Sequence, residues 1–120
     1  MNGNKILADT NIVLYLLSGR KIDYLFNKQI VVSFITELEL LSYPSLTPAE
    51  EQTIINFLQK VKIIDIDAKI KQKTIELGRK YKFKLPDAII CATALAYNLP
   101  LITNDRQLQK MEEVEIVKWN

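Results

Sequence analysis

Four carboxylates carry the chemistry this chain can offer. Asp9 and Asp105 each follow a short apolar run, Glu39 lies in an apolar segment just after a third run, and Asp87 opens a long apolar stretch. The 120-residue chain has no histidine and one cysteine, Cys91. Zinc bound through imidazole or a thiolate cluster is therefore excluded. A ribonuclease that needs a histidine acid or base is excluded as well. An all-oxygen donor set suits Mg²⁺, with Mn²⁺ as the alternative. Two carboxylates 4 Å apart repel by about 1 kcal/mol in water and about 4 kcal/mol at an effective dielectric of 20. Four in one place call for a cation. Metals held by acids commonly activate water and stabilise charge in phosphodiester cleavage.

Whether the four meet depends on the elements that carry them. Lys5–Ala8 reads as a strand ending at Asp9, and Ile12–Leu17 as a short helix stopped by Ser18 and Gly19. A second short helix is expected over Ile22–Asn27. The β-branched run Gln29–Ser33 reads as a buried strand, followed by a helix over Ile35–Leu41. Thr47, Pro48 and Glu50 form a capping-box signature, and Ile54, Phe57, Leu58 and Val61 then give a helical stripe. Lys62–Ile66 is a third strand, and Asp67 caps a helix whose face holds Ile70, Thr74, Leu77 and Tyr81. A central helix runs from Asp87 to about Asn98, apolar nearly all round. Leu99–Thr103 is a fourth strand and Val114–Val117 a fifth, with Trp119 capping the end of the sheet.

Short apolar strands alternating with helices imply a parallel sheet covered on both faces. The expected fold is a three-layer α/β/α domain with a four- to five-stranded parallel sheet, a single domain over residues 1–120. In such sheets ligands bind beyond the carboxyl ends of the strands, which is where all four acids fall. Each also has a structural explanation of its own. Asp9 suits a helix start, Asp87 a first helical turn, Glu39 a solvated helix and Asp105 a turn beside Asn104.

Composition bounds the rest. The chain is 48% hydrophobic and carries a net charge of +2, so a case for nucleic acid has to come from a site rather than from charge. The longest apolar stretch, Ala88–Ala96, is far short of the roughly 20 residues that cross a bilayer. Met1–Lys5 has no secretory-type segment, and Cys91 lies within that apolar stretch. A cytoplasmic protein with no membrane partner is expected.

The four segments that hold the acids resemble the motifs of PIN domains. These are Leu7-Ala-Asp-Thr-Asn-Ile-Val-Leu-Tyr-Leu-Leu17, Ser33-Phe-Ile-Thr-Glu-Leu-Glu-Leu-Leu41, Leu85-Pro-Asp-Ala-Ile-Ile-Cys-Ala-Thr-Ala-Leu95 and Leu99-Pro-Leu-Ile-Thr-Asn-Asp105. The third is the most specific, and in the second the matching acid is Glu39 rather than Glu37. The compact length is similar to VapC toxins, the ribonuclease halves of type II toxin–antitoxin pairs. The resemblance implies that Asp9, Glu39, Asp87 and Asp105 bind one or two Mg²⁺ ions and catalyse hydrolysis of RNA. It implies that Thr10, Asn11, Thr103 and Asn104 orient those carboxylates or the attacking water. A cognate antitoxin and a homodimer are implied partners. Two departures stand out. The position after the second motif, often glycine in the family, is Tyr43, and a further acid common after the fourth is replaced by Gln107, so one metal ion is the safer expectation.

The basic run Arg79-Lys-Tyr-Lys-Phe-Lys84 precedes the third motif. It reads either as a solvated helix end or as an RNA contact, in which Lys82 and Lys84 hold phosphates while Tyr81 or Phe83 stacks on a base. Three other readings compete. A receiver-type signalling domain would use Asp65 or Asp67 as phosphoacceptor, but it wants an acidic pair where Thr10 and Asn11 stand. A PIN-like module could dock RNA or protein without cutting. A PIN nuclease could serve RNA maturation.

Overall fold

The structure is a computed structural model that describes residues 4–119. Met1–Gly3, part of the stretch read above for a secretory segment, lie outside the described residues. In chain order the elements are β1 (Lys5–Ala8), α1 (Thr10–Leu17), a single 3₁₀ turn (Asp23–Leu25), β2 (Gln29–Ser33), α2 (Phe34–Leu41), α3 (Pro48–Lys60), β3 (Lys62–Ile64), α4 (Ala68–Tyr81), α5 (Leu85–Ala96), β4 (Leu101–Thr103), a second 3₁₀ turn (Leu108–Lys110) and β5 (Ile116–Lys118). All five strands join one sheet in the order β3-β2-β1-β4-β5, and every pairing is parallel.

Side-chain alternation along the strands divides the core in two, as the two-residue period of a strand requires. Leu7, Val31 and Leu101 face one side with Ile70 and Leu77 of α4 and Ile90 and Cys91 of α5. Ile6, Ala8, Val32 and Ile102 face the other, with Ile12 and Val13 of α1, Leu40 of α2 and Ile54 and Leu58 of α3. The sheet is thus covered on both faces, giving the three-layer α/β/α arrangement. Cys91 is fully buried, and burial pushes its thiol well above the ordinary cysteine range, so it behaves as a small apolar residue.

Local chemistry sets most element ends. The Thr47 hydroxyl accepts from the Glu50 N–H at 3.1 Å, while the Glu50 carboxylate accepts from the Thr47 N–H at 2.9 Å. This is the capping box expected from sequence. Asp67 accepts from the Ile70 N–H at 2.8 Å and starts α4. It also receives the hydroxyl of Tyr97, just past the end of α5, so α4 and α5 form an antiparallel pair. Asp67 thus serves as cap and tether.

Several details differ from expectation, among them the ends of α5 (Leu85–Ala96) and β5 (Ile116–Lys118). The helix expected over residues 22–27 is one 3₁₀ turn, pinned by buried Ile22 and Leu25. β3 stops at Ile64 because Asp65 bonds the Ile66 N–H and Asp67 already caps the next helix. β4 begins at Leu101, since the Leu99 N–H is still bonded to Ala94 of α5. Trp119 packs on Tyr15 of α1, with ring centroids 5.0 Å apart and the Arg20 guanidinium 4.8 Å from the Tyr15 ring. It covers a face of the sheet rather than its end.

The strand order reverses between β1 and β4. That central pair is the switch point at which an open parallel sheet forms its crevice. Ile102 lies in β4 beside it and is fully buried. Ile102→Ala is expected to cost about 2–4 kcal/mol of stability through lost burial and a residual cavity, measured by urea unfolding at constant m.

Candidate active site

Asp9 stands at the end of β1, where its N–H still bonds Ile102 of β4 at 3.3 Å. Its side chain then N-caps α1, accepting from the Ile12 N–H at 2.9 Å. Its second carboxylate oxygen accepts the hydroxyl of Thr103, the last residue of β4. The Thr103 oxygen in turn accepts from the Asp105 N–H at 3.0 Å. One threonine thus ties the acid after β1 to the acid after β4. Gln109 braces it by donating to the Thr103 carbonyl at 2.9 Å. Asp105 itself turns back on its own loop, accepting from the Gln107 N–H at 2.8 Å.

Glu39 comes from the second turn of α2, which Ser33 starts by accepting from the Ile35 N–H at 3.1 Å. The Thr10 hydroxyl lies 2.7 Å from the Glu39 carboxylate and 2.9 Å from the hydroxyl of Thr36. Asp87 sits in the first turn of α5, two residues after Leu85 begins it. Together Asp9, Thr10, Asn11, Glu39, Tyr43, Asp87, Ile90 and Asp105 line one cleft of about 130 Å³. Glu37 does not line it.

The cleft is short of positive charge. Asp9 is 5% exposed, and burial raises its carboxyl above the usual aspartate range. The bonds from Thr103 and Ile12 oppose that rise, while the charges of Asp105 and Asp87 add to it. Asp87 is raised too, by burial and then by Asp105 and Glu39, against a weaker opposing pull from Lys84. Its place at a helix start favours the charged form, but the neighbours outweigh that.

The four acids expected from sequence therefore line one cleft, with the Thr10 hydroxyl bonded to Glu39 and the Thr103 hydroxyl to Asp9. Asn11 lines the cleft without bonding an acid, and Asn104 neither lines it nor bonds one. Sequence reasoning missed Thr36, which is fully buried; its place one helical turn before Glu39 was the available signal. Gln109 was missed with it, and Tyr43, noted only as a departure from the family's usual glycine, also lines the cleft. Among the described residues no three acidic or cysteine side chains stand in a geometry that could hold a metal ion. The acids line the cleft without closing on a common point. The donor chemistry nonetheless fits an oxygen-seeking cation: four mutually repelling carboxylates beside the oxygens of Thr10, Asn11 and Tyr43, with Lys84 near Asp87.

The basic run divides. Lys82 is the left-handed C-cap of α4, at φ 58°, and Lys84 the residue before α5. Both are exposed, and Lys84 is close enough to favour ionisation of Asp87. The expected stacking rings are not free. Tyr81 and Phe83 stack on each other, with centroids 5.0 Å apart and planes within 9°, and both pack on the core. The Tyr81 hydroxyl donates to Glu113 at 2.6 Å, and Lys80 pairs with the same carboxylate at 2.8 Å. Hydrogen bonds from Lys80 and Tyr81 lower the Glu113 carboxyl to about 2.

The sequence matches the PIN domain family over residues 6–114, and the chain belongs to that family, whose members are typically nucleases. It is 33% identical to a chain of a toxin–antitoxin complex from Klebsiella pneumoniae, with 93% of this chain and 95% of that one covered and a TM-score of 0.79. The fold is also that of VapBC2 from Rickettsia felis, bound to a DNA fragment from its promoter, at 22% identity, 97% and 99% coverage and a TM-score of 0.83. VapBC-1 from nontypeable Haemophilus influenzae shares the fold at 24% identity, 96% and 98% coverage and a TM-score of 0.78. No curated protein sequence matches the chain.

Because folding raises the Asp87 carboxyl, its ionised form opposes the folded state. The penalty is absent below the ordinary aspartate range and grows as pH rises through the raised value. In metal-free protein at pH 7, Asp87→Asn is expected to raise the melting temperature by roughly 1–3 °C, a modest figure because water screens a half-buried group. The gain should shrink toward pH 4. Calorimetry across that range checks it, and an equal gain at both ends would mean the carboxyl carries no such penalty.

Proposed function

We propose that this protein is a Mg²⁺-dependent endoribonuclease, the toxin half of a type II toxin–antitoxin pair, acting as a homodimer in the cytoplasm. The observation that carries the reading is the set of four acids from four separate segments lining one cleft at the sheet's switch point, with no histidine or thiolate beside them. Identity to a chain of a toxin–antitoxin complex over nearly the full length supports the pairing with an antitoxin.

Asp9, Glu39, Asp87 and Asp105 would hold the cation, with Mn²⁺ able to replace Mg²⁺. When bound, it supplies positive charge against the scissile phosphate and makes a water more acidic. The chain's own groups do the rest. Thr103 and the Ile12 N–H fix the two oxygens of Asp9, and Thr10 fixes Glu39, so the carboxylates lose little freedom on loading. Water adds to phosphorus as the bond to the 3′-oxygen breaks. With no histidine in the chain, the proton lost by the water goes to a cleft carboxylate or to solvent, and the departing oxygen takes one from solvent. Lys82 and Lys84, exposed beside the start of α5, supply counter-charge for flanking phosphates.

One observation favours a second reading, docking of RNA without cleavage: the four acids do not close on a common point. Cleavage of total cellular RNA by purified, antitoxin-free protein separates the two. Activity should require Mg²⁺, vanish with EDTA and fall on the order of hundredfold or more in Asp87→Asn. A folded protein that binds RNA and never cuts it would leave docking as the function.

A further inference from the structure

Tyr43 is the aromatic residue among those that line the acidic cleft. It also walls a neighbouring apolar groove of about 540 Å³ formed with Leu14, Leu17, Leu46 and Ile54. Its ring therefore stands on the border between charged and apolar surface. It is 44% exposed, and it makes none of the ring stacking, cation contact or hydrogen bonding that engages Tyr15, Tyr24 and Tyr81.

Local geometry shapes the backbone around it. α2 ends at Ser42, whose N–H bonds Glu39 at 3.4 Å. Pro44 follows Tyr43 and restricts it to extended conformations. Ser45 is left-handed at φ 68°, and the capping box at Thr47 then fixes the start of α3. A large ring half in water, with no stacking, cation or hydrogen-bond partner among the described residues, is poorly explained as packing. It is well suited to receive something flat.

We infer that Tyr43 is a platform on which an unpaired nucleobase beside the scissile phosphate stacks, which selects single-stranded RNA. This rests on the RNA reading of the cleft given above. The cleft's own charge repels a phosphodiester, so attraction has to come partly from groups that ignore charge. A nucleobase on an aromatic face supplies that, and every base has such a face. A paired base has its faces covered by its neighbours and cannot use it. Tyr81 and Phe83, the rings nearest the basic run, are spent on each other and on the core, which leaves Tyr43 to do the stacking.

The experiment is RNA binding followed by fluorescence anisotropy, using a 5′-fluorescein-labelled single-stranded octaribonucleotide and the same sequence in a duplex. All variants carry Asp87→Asn so that nothing is cut. Tyr43→Phe and Tyr43→Trp keep a flat face and should bind within about twofold of the parent. Tyr43→Leu keeps the apolar wall but no face, and Tyr43→Ala keeps neither. Both should bind the single strand about ten- to hundredfold more weakly with duplex affinity unchanged. With the Asp87 carboxylate restored, the same loss should appear in KM more than in kcat. If Leu binds as well as Phe, the ring serves only the groove and the inference fails, while metal-dependent cleavage by the unaltered protein would still stand. If that protein never cuts RNA but binding follows the ring, the nuclease reading fails and the platform survives. If no oligonucleotide binds, both fall.

Discussion

A carboxylate taken out of water at the end of a central strand must be hydrogen-bonded or neutralised, and Asp9 is in that position. Its two oxygens are met by a helix N-terminus and by a threonine from the neighbouring strand. Those bonds do more than satisfy it. They fix where α1 begins, they lock the end of β1 to the end of β4, and through the Thr103 oxygen they place the backbone of Asp105. Burial still leaves its charge under strain, since the remaining neighbours are acids. The structure accepts an electrostatic cost here that a packed apolar residue would avoid, as functional sites commonly do.

That cost explains the geometry of the surroundings. Threonines rather than lysines approach the acids, so the carboxylates are oriented without being neutralised. Lys84, near Asp87, is exposed and only partly offsets its charge. Lys80, which carries a full charge close by in sequence, is drawn off by Glu113. The result is a cleft with negative charge in excess, its carboxylates oriented by hydrogen bonds.

Much of this was legible in the sequence because it is local. β1 and β2 follow from apolar runs bounded by polar turns, and the α3 start from three residues with one mechanism. The acids at strand ends followed once the strands were placed, because a parallel sheet puts all those ends on one edge. What escaped was nonlocal or two-sided. Thr36 matters only because α1 brings Thr10 against it. Tyr81 and Phe83 look available in a basic run, but Tyr81 is held by Glu113, about thirty residues on, and Phe83 by the Tyr81 ring. Tyr43 reads in sequence as a helix-ending residue before proline, and only the packing of α1 against α2 and α3 shows which two surfaces it borders.

The tie between Thr103 and Asp9 spans 94 residues, and β4 must pair with β1 for it to form. Contacts of such separation are made late, after the loop-closure entropy of the intervening chain has been overcome. A nascent chain that has displayed only β1 to β3 carries Asp9 and Glu39 but neither Asp87's helix nor the strand that orients Asp9. The cleft is therefore absent until β4 and Asp105 have left the ribosome and β4 can pair with β1. Any activity it confers switches on with the finished fold rather than growing in by stages.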